Sequence, residues 1–153
     1  AWVWHKRRTD FRKFWRQVYN SGIARINLYK KYPESLKLVH LLPMVFTVGV
    51  IGTLLLLFFG FLPYTIGTDH IFPMLGNGMA ALGCIGLFFI ILYCIALCID
   101  SAHQNKSIKI GLLSIRAAFT QLMGYGCGFL SAWWKRCILG QSEFSAYNKT
   151  FYK

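Results

Sequence analysis

Acidic side chains are scarce in this chain of 153 residues, which carries five Asp and Glu against 17 Lys and Arg. In chain order the acids are Asp10, Glu34, Asp69, Asp100 and Glu143. Because no two of them are close in the sequence, there is no D-x-D pair for a divalent metal and no carboxylate dyad. A phosphate loop of the G-x-x-x-x-G-K type is also missing. No Ser-His-Asp set is visible, although such a set is assembled only in the fold. The chain as given lacks the parts that most reactions need.

The cysteines form neither a disulfide framework nor a zinc-binding spacing. They are Cys84, Cys94, Cys98, Cys127 and Cys137. Cys94 and Cys98 would share a helix face, which would suit a metal pair. We favour the alternative that they are small apolar residues packed between helices.

Charged side chains are missing from two long segments, residues 41–68 and 70–99. Each segment exceeds the roughly 20 apolar residues that a helix needs to cross a bilayer. A soluble domain rarely keeps two such runs, because its helices usually show a polar stripe. The sequence therefore predicts a multi-pass protein of the plasma (inner) membrane.

The net charge of +12 is concentrated near the beginning of the chain. Ten of the 17 Lys and Arg lie in residues 1–39. A strongly basic chain can indicate a nucleic-acid-binding protein. Next to membrane spans, however, positive charge favours anionic phospholipids or an anionic substrate as partners, and we expect no nucleic acid.

Residues 9–39 predict a basic amphipathic helix and a linker. Thr9 or Asp10 can cap a helix that runs to about Tyr32, before Pro33. Its apolar positions are spaced by three and four residues and are Phe11, Phe14, Trp15, Val18, Gly22, Ile26 and Tyr29. Most of its cations fall on the opposite face, which is the pattern of a helix in the membrane interface. The alternative is an ordinary surface helix on a soluble core.

Several anion-binding side chains lie beside this predicted membrane boundary. They are His5, Arg7, Arg8, Gln17 and Arg25. Arg25 stands at the edge of the apolar face, where a cation is costly unless it is paired. It either binds a phosphate or extends its guanidinium to water.

Residues 40–134 predict the membrane region, with spans at about 40–62 and 74–99 and a third segment at 110–134. By the positive-inside rule, residues 1–39 and 100–109 are cytoplasmic and the 63–73 connector is outside. The length of the third segment favours a third span. The charge rule instead favours a re-entrant or interfacial segment, because a third span would place the basic tail at 135–153 outside.

The third segment contains the glycine-rich stretch GYGCGFL, residues 124–130. Gly124, Gly126 and Gly128 could let helices approach closely. Their spacing of two residues is not the usual helical spacing of small residues, so a break in the helix is an equal alternative.

The opening of the chain resembles a known family. VWHKRRTDFRKFWRQVYNSGIARINLYKKYP, followed by LKLVHLLP and the spans, resembles the C-terminal part of bacterial-type, membrane-bound family 2 glycosyltransferases. In that family a nucleotide-sugar-binding domain of the GT-A type ends in a strand with a histidine, and an interface helix with a glutamine motif and transmembrane helices follow. The resemblance covers the chain in order and is strongest over residues 3–43. It implies a mainly α fold with a short strand end at residues 1–8.

The resemblance also implies roles for single residues. His5 matches the GT-A histidine that helps to bind a divalent metal or the donor diphosphate; the alternative is a strand-end histidine without a role. Gln17 matches the first residue of the family's Q-x-x-R-W motif, but Asn20 and Ser21 replace its Arg and Trp. This departure favours a non-processive enzyme. Arg25, two turns later, could supply the missing cation to a donor or acceptor phosphate.

The implied function is transfer of a hexose from a nucleotide diphosphate sugar to a lipid-linked or membrane-proximal acceptor at the cytoplasmic face, as in polysaccharide biosynthesis. Mg²⁺ or Mn²⁺ would be bound mostly by an upstream domain. Because the D-x-D motif and the catalytic-base Asp are missing, we expect this chain to be a fragment that is inactive alone. The alternative is a small non-catalytic membrane anchor or accessory subunit.

Overall fold

The computed structural model describes residues 10–67 and 73–142, which are mainly helical and contain no strand. The four α-helices are α1 (Phe11–Lys31), α2 (Leu42–Thr65), α3 (Pro73–Asn105) and α4 (Ile108–Trp133). Two short 3₁₀ turns, Pro33–Ser35 and Leu38–His40, join α1 to α2, and a π-helical turn, Trp134–Ile138, continues α4. The prediction of a mainly α protein is confirmed. The predicted strand end at residues 1–8 lies outside the described residues.

Helix α1 begins and ends where its local sequence allows. Asp10 is the N-cap, and its side chain accepts a hydrogen bond of 2.9 Å from the backbone N–H of Arg12. This bond satisfies one of the free N–H groups of the first turn. At the other end the N–H of Tyr32 donates to the carbonyl of Leu28 at 2.7 Å, and Pro33 follows. These bounds match the ones predicted from the sequence.

The helices divide between two compact units, residues 1–46 with 117–153 (unit 1) and residues 47–116 (unit 2). Helices α2 and α4 each continue from one unit into the other. Each unit has its own set of helix–helix contacts.

Unit 1 is built around α1 and the second half of α4. Its buried residues are Ile23, Ile26, Phe129 and Ala132, and Tyr19, Leu36, Leu41, Met44 and Tyr125 pack against them. The backbones of the two helices approach closely at Gly22, where an added Cβ would overlap the carbonyl of Tyr125 and lie 2.7 Å from the backbone nitrogen of Phe129. Gly128 faces the backbone of Tyr19 in the same way. The small residues therefore replace side-chain packing by backbone contact.

The GYGCGFL stretch remains helical, so a break in the helix, one of the two alternatives for this stretch, does not occur. Gly124 lies against Val18 and Trp15, and Gly128 lies against Tyr19. These two glycines are four residues apart and so share a helix face. The spacing of two residues, which suggested a break, hid this pair.

Unit 2 contains the antiparallel pair of α2 and α3. Gly60 lies against Ala80, Gly83 against Leu57 and Gly86 against Thr53. Near the far end of the pair, the Tyr64 hydroxyl donates a hydrogen bond to Oδ1 of Asn77. Residue numbers that decrease along α2 are therefore paired with residue numbers that increase along α3, as expected for antiparallel helices.

Helix α3 is followed by a tight reversal into α4. Lys106 takes a positive φ of 50° at the turn. A Cβ added at Gly111 would lie 2.7 Å from the carbonyl oxygen of Cys98. The Ser114 hydroxyl donates a hydrogen bond of 3.3 Å to the carbonyl of Leu97. Cys98 therefore packs between helices, which was one of the two alternatives for this cysteine.

Among the described residues, two helical segments are long and apolar enough to cross a membrane, Leu38–Thr65 and Pro73–Asn105. Only 22% and 6% of their most apolar windows are buried, whereas the core helix of a soluble protein would be mostly buried. They contain the predicted spans 40–62 and 74–99. Helix α4 covers the predicted third segment but is not one of the two.

Candidate functional site

Three of the five predicted site residues, His5, Arg7 and Arg8, lie outside the described residues. The other two, Gln17 and Arg25, lie on α1. Gln17 is exposed and its carbonyl accepts a hydrogen bond of 3.0 Å from the Ser21 hydroxyl. Arg25 is eight residues further, about 12 Å along the helix axis and rotated by about 80° around it. The structure therefore does not bring Gln17 and Arg25 to one phosphate.

Arg25 is half-buried, and its positive charge acts electrostatically on His40, together with that of Lys37. In the described part of the chain, Arg25 has no hydrogen-bond or ion-pair partner. We call Arg25, Lys37 and His40 the basic cluster.

The backbone of the connecting turn holds His40 in the basic cluster. The Lys37 N–H donates a hydrogen bond of 3.0 Å to Nδ1 of His40. Because Nδ1 is the acceptor, the imidazole in this arrangement is neutral and carries its proton on Nε2. Three groups of the basic cluster donate hydrogen bonds and cannot accept them: Nε2–H of His40, the Arg25 guanidinium and the Lys37 ammonium. Such donors suit an anionic ligand.

The basic cluster lies at the boundary of a predicted span. Lys37 and His40 flank the first residues of the segment Leu38–Thr65 that is apolar enough to cross a membrane. A phosphate on a lipid would reach this level of the bilayer, as would a soluble diphosphate from the water side. Sequence reasoning identified Arg25 but missed Lys37 and His40. Their proximity to the first charge-free run was the available signal.

A second group of cations lies at the start of α1. Arg12, Lys13 and Arg16 line a shallow depression with Asp10. All four side chains are exposed. This arrangement suits diffuse contact with anionic headgroups more than the positioning of one substrate.

A polar contact on unit 1 was not predicted from the sequence. Arg136, in the π-helical turn, donates from Nη1 to Oδ1 of Asn27 at 2.6 Å. Its Nε is buried and has no partner among the described residues. The contact fixes the end of α4 to α1, and its place on the inner side of the unit indicates a structural role.

The described residues contain no group of three or more His, Cys, Asp or Glu side chains that could hold a metal ion. The five cysteines are free thiols.

No protein-family model, curated protein or solved structure matches this chain.

Proposed function

We propose that this chain is the membrane-embedded C-terminal part of a glycosyltransferase of the family 2 type. The longer enzyme would transfer a hexose from a nucleotide diphosphate sugar to a lipid-linked or membrane-proximal acceptor at the cytoplasmic face. The single observation that carries the proposal is the basic cluster of Arg25, Lys37 and His40 at the start of the first candidate span.

The chemistry of the basic cluster fits a phosphate better than a carboxylate or a neutral sugar. It combines a planar guanidinium, an ammonium and an imidazole N–H, each of which can donate to an anion. A guanidinium can bind two oxygens of one phosphate at once, and an ammonium adds a point charge. Both the donor diphosphate and a lipid-linked acceptor carry such groups.

The position of the basic cluster favours the acceptor over the donor. It adjoins the apolar segment, where an acceptor held by a lipid would be concentrated. Gln17 lies about 12 Å away along α1 and is exposed, so it faces a different part of any active site. We therefore assign Arg25, Lys37 and His40 to the acceptor phosphate. His5, Arg7 and Arg8 remain proposed for the donor diphosphate.

The test uses the longer reading frame that contains this chain, expressed in membranes. Release of nucleoside diphosphate is measured over a panel of nucleotide sugars with Mg²⁺ or Mn²⁺ and lipid-linked acceptors. A charge-assisted hydrogen bond contributes about 1.5–3 kcal/mol, so Arg25→Ala should lower kcat/KM for the acceptor by roughly 10- to 150-fold.

Two variants act as controls. Arg25→Lys keeps the charge but not the bidentate geometry and should recover part of the loss. Lys13→Ala removes a cation of α1 that lies outside the basic cluster and should leave kcat/KM within about two-fold, because exposed charges contribute little. Equal effects of Arg25→Ala and Lys13→Ala would contradict the site. An upstream frame without a nucleotide-binding domain would contradict the enzyme and leave the anchor alternative.

A further inference from the structure

Helix α4 is polar where a membrane span is apolar. Its 26 residues would reach about 39 Å, enough for a hydrocarbon core of about 30 Å. Yet its midpoint carries Gln121, which is exposed and has no hydrogen-bond partner among the described residues. In a span, this side chain would meet lipid within the hydrocarbon core, where polar groups are costly.

Within unit 1, the later residues of α4 form part of the core. Phe129 and Ala132 are buried there with Ile23 and Ile26 of α1, and Tyr125, Leu41 and Met44 pack against this cluster. Six residues before Tyr125, the ring of Phe119 contacts that of Phe46 with centroids 5.4 Å apart. The second half of α4 therefore shares its buried face with α1, as part of the core of unit 1.

Helix α1 runs parallel to this second half of α4. Residue numbers increase together along both helices. Gly124 contacts Val18, Gly128 contacts Tyr19, and Arg136 donates a hydrogen bond to Asn27. Residues on the opposite side of α1, among them Lys13 and Gln17, are exposed. The pair thus presents a polar and basic surface, and its shared apolar face is covered within unit 1.

We infer that α4 lies along the membrane surface beside α1 and does not cross the bilayer. The α1–α4 pair is then a surface for the headgroup region of an anionic bilayer, whose negative charge attracts basic segments. The chain crosses the membrane twice, and everything after Trp133 stays on the face that carries α1. Lys106 and Lys109 at one end of α4, and Lys135 and Arg136 at the other, then lie on that same face. This arrangement satisfies the positive-inside rule, which a third span would violate.

The side of the C-terminus tests the inference directly. Alkaline phosphatase, active only outside, and green fluorescent protein, fluorescent only inside, are fused in turn after Lys153 of the full chain. The same reporters inserted at Gly67 mark the connector between the two spans. We expect fluorescence without phosphatase activity after Lys153 and the reverse at Gly67. Phosphatase activity after Lys153 would overturn the inference.

The depth of α4 is tested by placing a charge at its midpoint. Gln121→Lys should keep the yield of membrane-inserted chain within about two-fold of the unchanged protein, because the headgroup region accepts a lysine. Leu54→Lys, the matched change at an exposed position in the middle of α2, should reduce that yield more than about tenfold. A reduction beyond about two-fold for Gln121→Lys would place α4 within the hydrocarbon core and refute the surface position, whether α4 spans or re-enters. Neither readout depends on sugar transfer, so it is independent of the test of the proposed function.

Discussion

Arg136 and Asn27 are 109 positions apart in the sequence, and a hydrogen bond of 2.6 Å joins Nη1 of the first to Oδ1 of the second. The bond connects the π-helical turn after α4 to the last third of α1. Because Nε of Arg136 is buried without a partner among the described residues, the amide of Asn27 supplies much of what stabilises this guanidinium inside unit 1.

Removing the amide should destabilise unit 1. Asn27→Ala leaves a partly buried charged donor without its acceptor, and we expect a loss of about 1.5–3 kcal/mol in the free energy of unfolding. The measurement is denaturant unfolding of the purified chain in mild detergent. Asn20→Ala, on the same flank of α1, is the matched control and should cost less than about 0.5 kcal/mol. Similar losses for the two variants would show that the hydrogen bond contributes little.

The glycine contacts between α1 and α4 should not tolerate a methyl group. In Gly22→Ala the new Cβ would overlap the carbonyl of Tyr125, so one helix backbone must move. Overpacking of this kind costs about 1–3 kcal/mol. Thermal unfolding of the detergent-solubilised chain provides the measurement.

Gly49→Ala is the control for this change. A Cβ added at Gly49 would meet nothing within 4 Å, and alanine favours a helix by up to about 1 kcal/mol. Gly49→Ala should therefore leave the melting temperature unchanged or raise it. If Gly22→Ala behaved in the same way, the close approach of α1 and α4 would be refuted.

The cap of α1 should control the order of its first turn. Asp10→Ala removes the acceptor for the Arg12 N–H and should cost about 1 kcal/mol, whereas Asp10→Ser keeps an acceptor and should cost little. Hydrogen exchange at the first amides of α1 reports the difference. Equal protection in the two variants would argue against a capping role for Asp10.

Lys37 should matter to the longer enzyme if the basic cluster binds the acceptor phosphate. Lys37→Ala should raise KM for a lipid-linked acceptor by about 3- to 10-fold, as expected for one point charge on a phosphate. Lys31→Ala is the control, since Lys31 lies over the ring of Tyr32, at 5.7 Å from its centroid, and outside the basic cluster. A rise in KM for the nucleotide sugar alone would move the basic cluster from the acceptor to the donor.

Local signals in the sequence predicted much of the fold. Asp10 marks the start of α1 and Pro33 follows its end, because a capping side chain and a proline both act on neighbouring residues. The two charge-free runs became the two candidate spans for the same reason, since composition alone decides whether a segment suits lipid. The structure adds the surroundings of these elements.

The candidate site could be predicted only in part. Arg25 stood out because it breaks the periodicity of its own helix. Lys37 and His40 lie in the turns between two helices, and no periodicity records that the charge of Arg25 acts on His40. Helix α4 shows the same limit. Its length favoured a span and its charges favoured the surface, and neither signal shows that its second half packs with Ile23 and Ile26 of α1.

The core of unit 1 joins residues from both ends of the chain, and this has a consequence for synthesis. Ile23 and Ile26 emerge from the ribosome long before Phe129 and Ala132, with which they pack. Long-range contacts of this kind form late because the intervening loop must first close. The packing face of α1 is therefore still uncovered while both apolar segments are being synthesised. A chain that stops before α4 would keep that face open and would be prone to aggregation or degradation.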